Sequence, residues 1–314
     1  MTIRVLKSSD ASAPELSGTV GSLKSLLQAA LVDGYGSSTP LGWSVAYTDA
    51  PSNTIAILQG GSSPIYLQLA DGAPGAAGAR EARAAGYQTM SDALTGTGKF
   101  PSSGLSAGAY VVRKSSALDS LPRDWLIAGD TRRFILATKP ADLAGMWSIF
   151  FFGDTKSYRA SDDYKALISG RSVENDPATY TVTSEWLIQI NALTSFATTG
   201  HMQRNFSGAT ASKSVNFIAD NAKAKQTGQY AAGSVGLPYP DPIGGALWFS
   251  KIWIGEDQQL RGEVPGLWIP LHTRPLGDGD TFTATPETPA RSFIALDTAG
   301  YGQILIETSD TWDI

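Results

Sequence analysis

Short apolar strings separated by turn residues run along the whole chain and are densest between Gly244 and Ile314. There they fall at Gly245–Gly255, Arg261–His272, Arg291–Leu296 and Gly302–Thr308. In the last string Ile304 and Ile306 point one way while Gln303, Leu305 and Glu307 point the other, the two-residue period of a half-buried strand. Upstream, strings rich in aromatic and β-branched residues predict further strands at Tyr110–Val112, Trp125–Ala128, Arg133–Ala137, Trp147–Phe152, Glu185–Ile190 and Ser214–Ile218. Thr54–Leu58 and Ile65–Leu69 add two more, and Arg80–Met90 is read as a strand despite its Ala-rich middle.

One helix stands out against this β background. Leu23, Leu26, Leu27, Ala30 and Leu31 form a single stripe at helical spacing. Ser22 is placed to cap its start and Gly34 to end it. Such a helix would cover the face of a sheet built from Thr54–Leu58 and Ile65–Leu69. The pattern therefore predicts a mainly β protein with an N-terminal α+β unit and several small β-sandwich or barrel-like domains. The expected divisions are residues 1–115, 116–240 and 241–314. A polar stretch from Ala219 ends in Leu237-Pro-Tyr-Pro-Asp-Pro242, whose alternating prolines favour an extended connector. No long internal repeat is evident, which argues against a solenoid or propeller.

Composition narrows the function classes. The 314 residues suffice for a sizeable core, yet only 17% are charged and the formal charge is −5. Nucleic-acid binding needs a basic stripe, and the nearest approaches, Arg132-Arg133 and Lys213, Lys223 and Lys225, read as solvated faces. The absence of cysteine removes disulfides, thiolate catalysis and cysteine-held metals. Met1 is not followed by the charged and apolar regions of a secretory leader. The most apolar run, Met146–Phe152, is too short to span a bilayer. The expectation is a soluble chain synthesised in a cytoplasm, with neither a membrane nor a nucleic acid as partner.

Candidate chemistry is sparse. Gly104-Leu-Ser106-Ala-Gly108 matches the nucleophile-elbow pattern, but that elbow needs a strand before the serine and a helix after it, and the local order is inverted. His201 and His272 lack a metal-binding spacing, and His272 is expected to make a structural hydrogen bond. Asp278-Gly279-Asp280 is not followed by the ligand pattern of a calcium loop and reads as a tight turn. Gly96-Thr-Gly98-Lys99 lacks the glycine and hydroxyl of a phosphate loop at Ala93 and Phe100. No catalytic residue, metal or cofactor is expected. Trp248, Trp253 and Trp268 could stack against a sugar, but their strand setting favours core or subunit packing.

Several motifs together resemble a group of virion structural proteins encoded in tailed-phage and prophage clusters. They are Gly21-Ser-Leu-Lys-Ser-Leu-Leu27 with Leu31-Val-Asp-Gly-Tyr-Gly36 and Gly42-Trp43, then Ala85-Gly-Tyr-Gln-Thr-Met-Ser-Asp92 and Thr95-Gly-Thr-Gly-Lys-Phe-Pro101. Phe151-Phe-Gly-Asp154 and Leu260–His272 complete the set. The resemblance implies a non-enzymatic subunit, in the tail or baseplate first and as a head decoration second. It would reside in the virion and bind copies of itself and other virion structural proteins. Trp147, Phe151, Trp248, Trp253 and Trp268 are the expected core and interface residues, since aromatics anchor contact patches. The competing readings are a receptor or carbohydrate-binding module on the particle, with a host-surface glycan as partner, and a hydrolase acting through Ser106 or as a depolymerase.

Overall fold

The computed structural model describes residues 2–61, 64–75, 77–102, 105, 108–140, 147–171, 200–209, 211–218, 240, 244–272, 275–284, 290–298 and 302–312. The expected strand at Glu185–Ile190, Gly104, Ser106 and Ala107 of the serine motif, Lys223 and Lys225, and most of the proline-rich connector lie outside these residues.

The first part of the chain contains β1 (Arg4–Lys7), α1 (Ser22–Gln28), β2 (Ser44–Asp49), β3 (Thr54–Leu58), β4 (Tyr66–Ala70), β5 (Glu81–Tyr87), β6 (Thr89–Met90), β7 (Gly96–Thr97) and β8 (Tyr110–Arg113). The middle contains β9 (Asp124–Gly129), β10 (Arg133–Lys139), β11 (Ser148–Asp154), β12 (Lys156–Ser157), β13 (Ala166–Ser169), β14 (Gly200–Arg204) and β15 (Ala211–Ile218). The last part contains β16 (Phe249–Glu256), β17 (Gln259–Pro270), β18 (Thr281–Ala284), β19 (Arg291–Thr298) and β20 (Gly302–Glu307). The protein is mainly β, with several antiparallel sheets.

Three layers follow from how the side chains alternate. Strands β2-β3-β4-β5-β8 make one sheet, while β1-β9-β10-β11-β13 begin a larger one that continues through β14 and β15 into β16-β17-β20-β19-β18. On β10, Phe134 and Leu136 face the five-stranded sheet and α1, whereas Ile135 and Ala137 face the C-terminal strands. Strand β11 repeats this, with Phe150 and Phe152 on one side and Ile149 and Phe151 on the other. The large sheet therefore returns over itself, and its N-terminal half is the middle layer. Both faces of that layer are dry, which is why its strands read as unbroken apolar runs. At roughly 1.5–3 kcal/mol for each fully buried large apolar side chain, these two interfaces dominate the stability.

The division at 115 and 240 expected from sequence is crossed by the sheet at both borders. Strand β1 pairs with β9 from Arg4↔Gly129 to Lys7↔Leu126, and β15 pairs with β16 from Asn216↔Gly255 to Ile218↔Trp253. Strand β1 went unrecognised because four residues carry too little pattern to identify a strand. β20 also differs from expectation. Ile304 and Ile306 do face the core, but Gln303, Leu305 and Glu307 on the opposite side are buried as well.

The helix stripe packs as expected, with Leu23, Leu26, Leu27, Ala30 and Leu31 against Ile55, Ile57, Leu67 and Leu69. The last helical turn widens into a π-turn at Ala29–Asp33, and Gly34 ends it at φ 80°, a conformation only glycine adopts without strain. The start is capped differently from the expectation. Ser22 bonds the carbonyl of Ser17, and the free amides of Leu23 and Lys24 donate to Asp71 Oδ2 at 2.8 and 3.0 Å. Asp71 comes from the end of β4, so a tertiary contact does the work assigned to a local serine. Its other oxygen receives the Lys114 ammonium, and both side chains are fully buried. Burial pushes the Asp71 carboxyl above its ordinary value and the Lys114 ammonium below, each opposed by the partner's charge.

Two of the motifs quoted above meet in space. Gly86 and Phe100 exchange backbone hydrogen bonds of 2.8 Å, and a Cβ on Gly86 would lie 2.2 Å from the Phe100 ring. The ring itself stacks on Phe152 at 6.1 Å. Among the described residues no helix is long and apolar enough to cross a membrane.

Removing one member of a buried ion pair strands the other, so Asp71→Ala should lower the unfolding free energy by about 3–5 kcal/mol in urea titration. Adding Lys114→Met to that variant should recover part of the loss, because the uncompensated ammonium is gone. A single variant no less stable than wild type would contradict the pairing.

Candidate interaction surfaces

The five aromatic candidates separate into two groups. Phe151 is fully buried between the middle and C-terminal layers. Trp147 is also buried, its indole N–H donating to Asp278 Oδ1 at 2.8 Å and its ring lying under the Lys139 ammonium. Trp268 is buried on the outward side of the C-terminal strands, T-shaped against Phe249 and Phe293 and donating to Glu307 Oε2 at 3.0 Å. These three are packed within the monomer, the core part of what was expected of them. Trp253 is half-buried, and Trp248 is 52% exposed. Only these two reach solvent to a useful extent.

The other sequence candidates resolve into structural roles. His272 Nε2 accepts the Trp248 backbone N–H at 2.8 Å, the structural hydrogen bond expected of it. His201 is held between the Tyr110 hydroxyl at 2.8 Å from Nδ1 and the Ser214 hydroxyl at 3.1 Å from Nε2. Asp278-Gly279-Asp280 forms a tight turn, Asp280 N–H donating to the Gly277 carbonyl. Gly96 and Thr97 lie in the β6–β7 hairpin. Arg133 is buried, not solvated, and burial lowers its pKa. Among the described residues no group of three or more His, Asp or Glu stands where it could hold a metal ion.

Two surfaces were not legible in the sequence as surfaces, although Trp253 of the second was already a candidate. The first is the loop from Ser115 to Arg123. Leu118 and Leu121 project from it with 66% and 61% of their surface in water, and Val20 nearby is 48% exposed. Beneath them Arg123, itself buried, fixes the loop: Nη2 donates to both oxygens of Asp119 at 2.8 and 3.0 Å, Nε to the Ser115 hydroxyl and the Pro140 carbonyl, and Nη1 to the carbonyls of Leu121 and Pro122. Asp119 also accepts from the Leu121 backbone, and Ala117 N–H donates to Ser115. A loop whose two most apolar side chains face water is held by a dense hydrogen-bond network, so its shape is set before any partner arrives.

The second surface is the outward face where β15, β16, β17 and β12 run side by side. Register places Ile218, Trp253, Glu263 and Lys156 in one row across these four strands. Glu263 is nearly buried, and its Oε1 receives Lys251 at 2.8 Å with Lys156 at 3.7 Å, while its Oε2 accepts the Tyr158 hydroxyl at 2.6 Å. Tyr158 is pushed up to about 12 by burial and by Glu263, with a hydrogen bond from Trp253 acting the other way. Next to Glu263 on the same side of β17, Arg261 is buried and bound to both oxygens of Asp162, to Glu256 and to the carbonyls of Arg204 and Tyr164. The lattice joins strands that lie far apart in sequence, so no local motif announces it. Glu263 and Arg261 do sit in the Leu260–His272 string, but as isolated charges in an apolar run.

His201 gives a pH signature. Burial lowers its pKa to about 4, so the folded state refuses a proton that the unfolded chain accepts near the ordinary histidine value of 6.5. Stability should be full above about pH 7 and fall as pH drops through that interval, by on the order of 3 kcal/mol. Urea titrations from about pH 7 to pH 4 should show this slope in wild type and a shallower one in His201→Gln.

No protein-family model matches this chain, and no curated protein matches it in sequence.

Proposed function

We propose that the protein is a non-enzymatic structural subunit of a tailed-phage virion, in the tail or baseplate, that acts by contact with copies of itself and with other particle proteins. The particle comes from the motif resemblance, and the mode of action from the surface. The observation that carries it is the rigid loop at Ser115–Arg123, with Leu118 and Leu121 in water above a buried arginine. Burying both leucines at a contact would contribute roughly 1.5–3 kcal/mol each, and the fixed loop would lose little entropy in docking. The exposed Trp248 supplies a further apolar anchor of the kind found at interface centres.

Both histidines support the same reading, since each is committed to structural hydrogen bonds. Phe151 serves a different purpose: Phe151→Ala should cost about 3–5 kcal/mol of folding stability, and any assembly defect it causes reports unfolding, not a lost contact.

Leu118→Asp and Leu121→Asp should leave the melting temperature within a few degrees of wild type, because both side chains are solvated in the monomer. They should weaken self-association in analytical ultracentrifugation and incorporation into particles by at least about tenfold. A wild-type chain that stays monomeric at high concentration and is absent from purified particles by mass spectrometry would refute the proposal.

A further inference from the structure

We propose that the open edge of β18 pairs antiparallel with the same strand of a second copy, joining the large sheets of two molecules across a two-fold axis. This gives a place to the contact between copies invoked above, and it rests on that part of the reading and not on the particle.

The two larger sheets end at four strands, β1, β18, β2 and β8. An edge strand carries a row of unpaired N–H and C=O groups, which charges, bulges or covering segments normally guard. Three of the four ends are guarded. Strand β1 carries Arg4 and Lys7, and the Ile3 N–H beside it donates to the Asp310 carbonyl at 2.7 Å. Strand β2 is bulged between Val45 and Tyr47 and ends on Asp49. Strand β8 is covered at Val111, whose N–H donates to the Arg171 carbonyl at 2.9 Å. Strand β18 has neither charge nor proline, and its register with β19 is regular from Thr281↔Ile294 to Ala284↔Arg291. Among the described residues nothing pairs with its other side.

Alternation along the ladder fixes what this edge offers. The Thr308 N–H donates to the Ser292 carbonyl, so Ser292 turns toward β20 and its neighbour Phe293 toward β18. Phe282, opposite Phe293, therefore directs its backbone groups at β19, while Thr281 and Thr283 direct theirs outward. Both threonines are exposed. A two-fold axis at Phe282 sets Thr281 of each copy opposite Thr283 of the other, where their N–H and C=O groups bond in both directions. Phe282 then meets its own copy in a non-hydrogen-bonded pair, the arrangement that brings side chains closest. Its ring is half-buried, stacked on Phe293 at 5.2 Å and edge-on to Phe249 at 6.2 Å, so the pair extends the aromatic cluster from one molecule into the next. Asp280 falls opposite Ala284, and no like charges face each other. The strand thus complements itself, which is what a two-fold interface requires. The paired segment is short, so association is weak in dilute solution and grows with concentration.

Backbone amide exchange and sedimentation equilibrium are measured on the full chain over a wide concentration range. The expected result is exchange of the Thr281 and Thr283 N–H groups that slows about tenfold or more as dimer forms. Thr281→Lys combined with Thr283→Lys sets ammonium against ammonium in both pairs and should weaken dimerisation at least about tenfold. Thr281→Lys combined with Thr283→Glu sets opposite charges together and should restore it. Both double variants should melt within a few degrees of wild type, because the two positions are solvated in the monomer. If the double lysine variant fails to fold, wild-type exchange and the lysine–glutamate variant decide the matter. Unchanged exchange at Thr281 and Thr283, or equal association of the two double variants, would overturn the pairing. Protection that appears only in purified particles would give the edge to a strand of another protein and overturn it as well. Particle incorporation is read through Leu118 and Leu121, so a failure of the edge pairing leaves the assembly role standing, and the reverse also holds.

Discussion

The molecule depends on a middle layer that is dry on both sides. Strands β9, β10 and β11 must satisfy every backbone group within the sheet, since neither face has access to water. Their side chains alternate between two cores, and each core is completed by a different part of the chain: α1 and the five-stranded sheet on one side, the C-terminal strands on the other. Neither outer layer has an apolar face that would be stable alone. The three layers are therefore energetically coupled even though the outer two come from opposite ends of the sequence.

Buried charge gives this stack its register. Hydrophobic burial is nearly indifferent to a small slide of one layer over another, whereas a buried guanidinium is not. Arg171, just after β13 of the large sheet, pairs with Glu81 of β5 in the five-stranded sheet at 3.3 Å, while Arg261 joins β17 to the segment after β12, to β14 and to β16 within the large sheet. Desolvating such groups is expensive, and the cost is offset only when their donors are met. A chain with few charged residues places several of them inside, where their directionality matters most. The same economy shapes the outer surface, where Glu263 is consumed in fixing two lysines and a tyrosine, and Asp71 in capping a helix from a distance.

Strand positions such as Thr54–Leu58, Arg133–Lys139 and Arg291–Thr298 were legible because β-branched and aromatic strings carry their own signal. Arg80–Met90 was read as a strand on weaker grounds, Tyr87 and Met90 beside an Ala-rich middle that could equally have coiled into a helix. Strands β1, β2 and β13 were not, being short or mixed with polar residues and defined by the neighbours that pair with them. Among the aromatic candidates, sequence could tell that Phe151 and Trp268 are apolar anchors, but not that their own monomer already covers them. Leu118 and Leu121 fit no periodic pattern and drew no attention, yet they are the most exposed large apolar side chains among the described residues.

The amino-acid sequence by itself determined the β character, the place of the amphipathic helix with its end at Gly34, and the absence of thiol chemistry, because each rests on local spacing or on composition. Only the tertiary structure decided which apolar faces remain open, which charges are buried and which acid caps the helix. Those properties belong to pairs of residues brought together by the return of the large sheet, such as Asp71 with Lys114 or Tyr158 with Glu263. A one-dimensional pattern holds no distance between positions so far apart, and distance is what burial and charge pairing depend on.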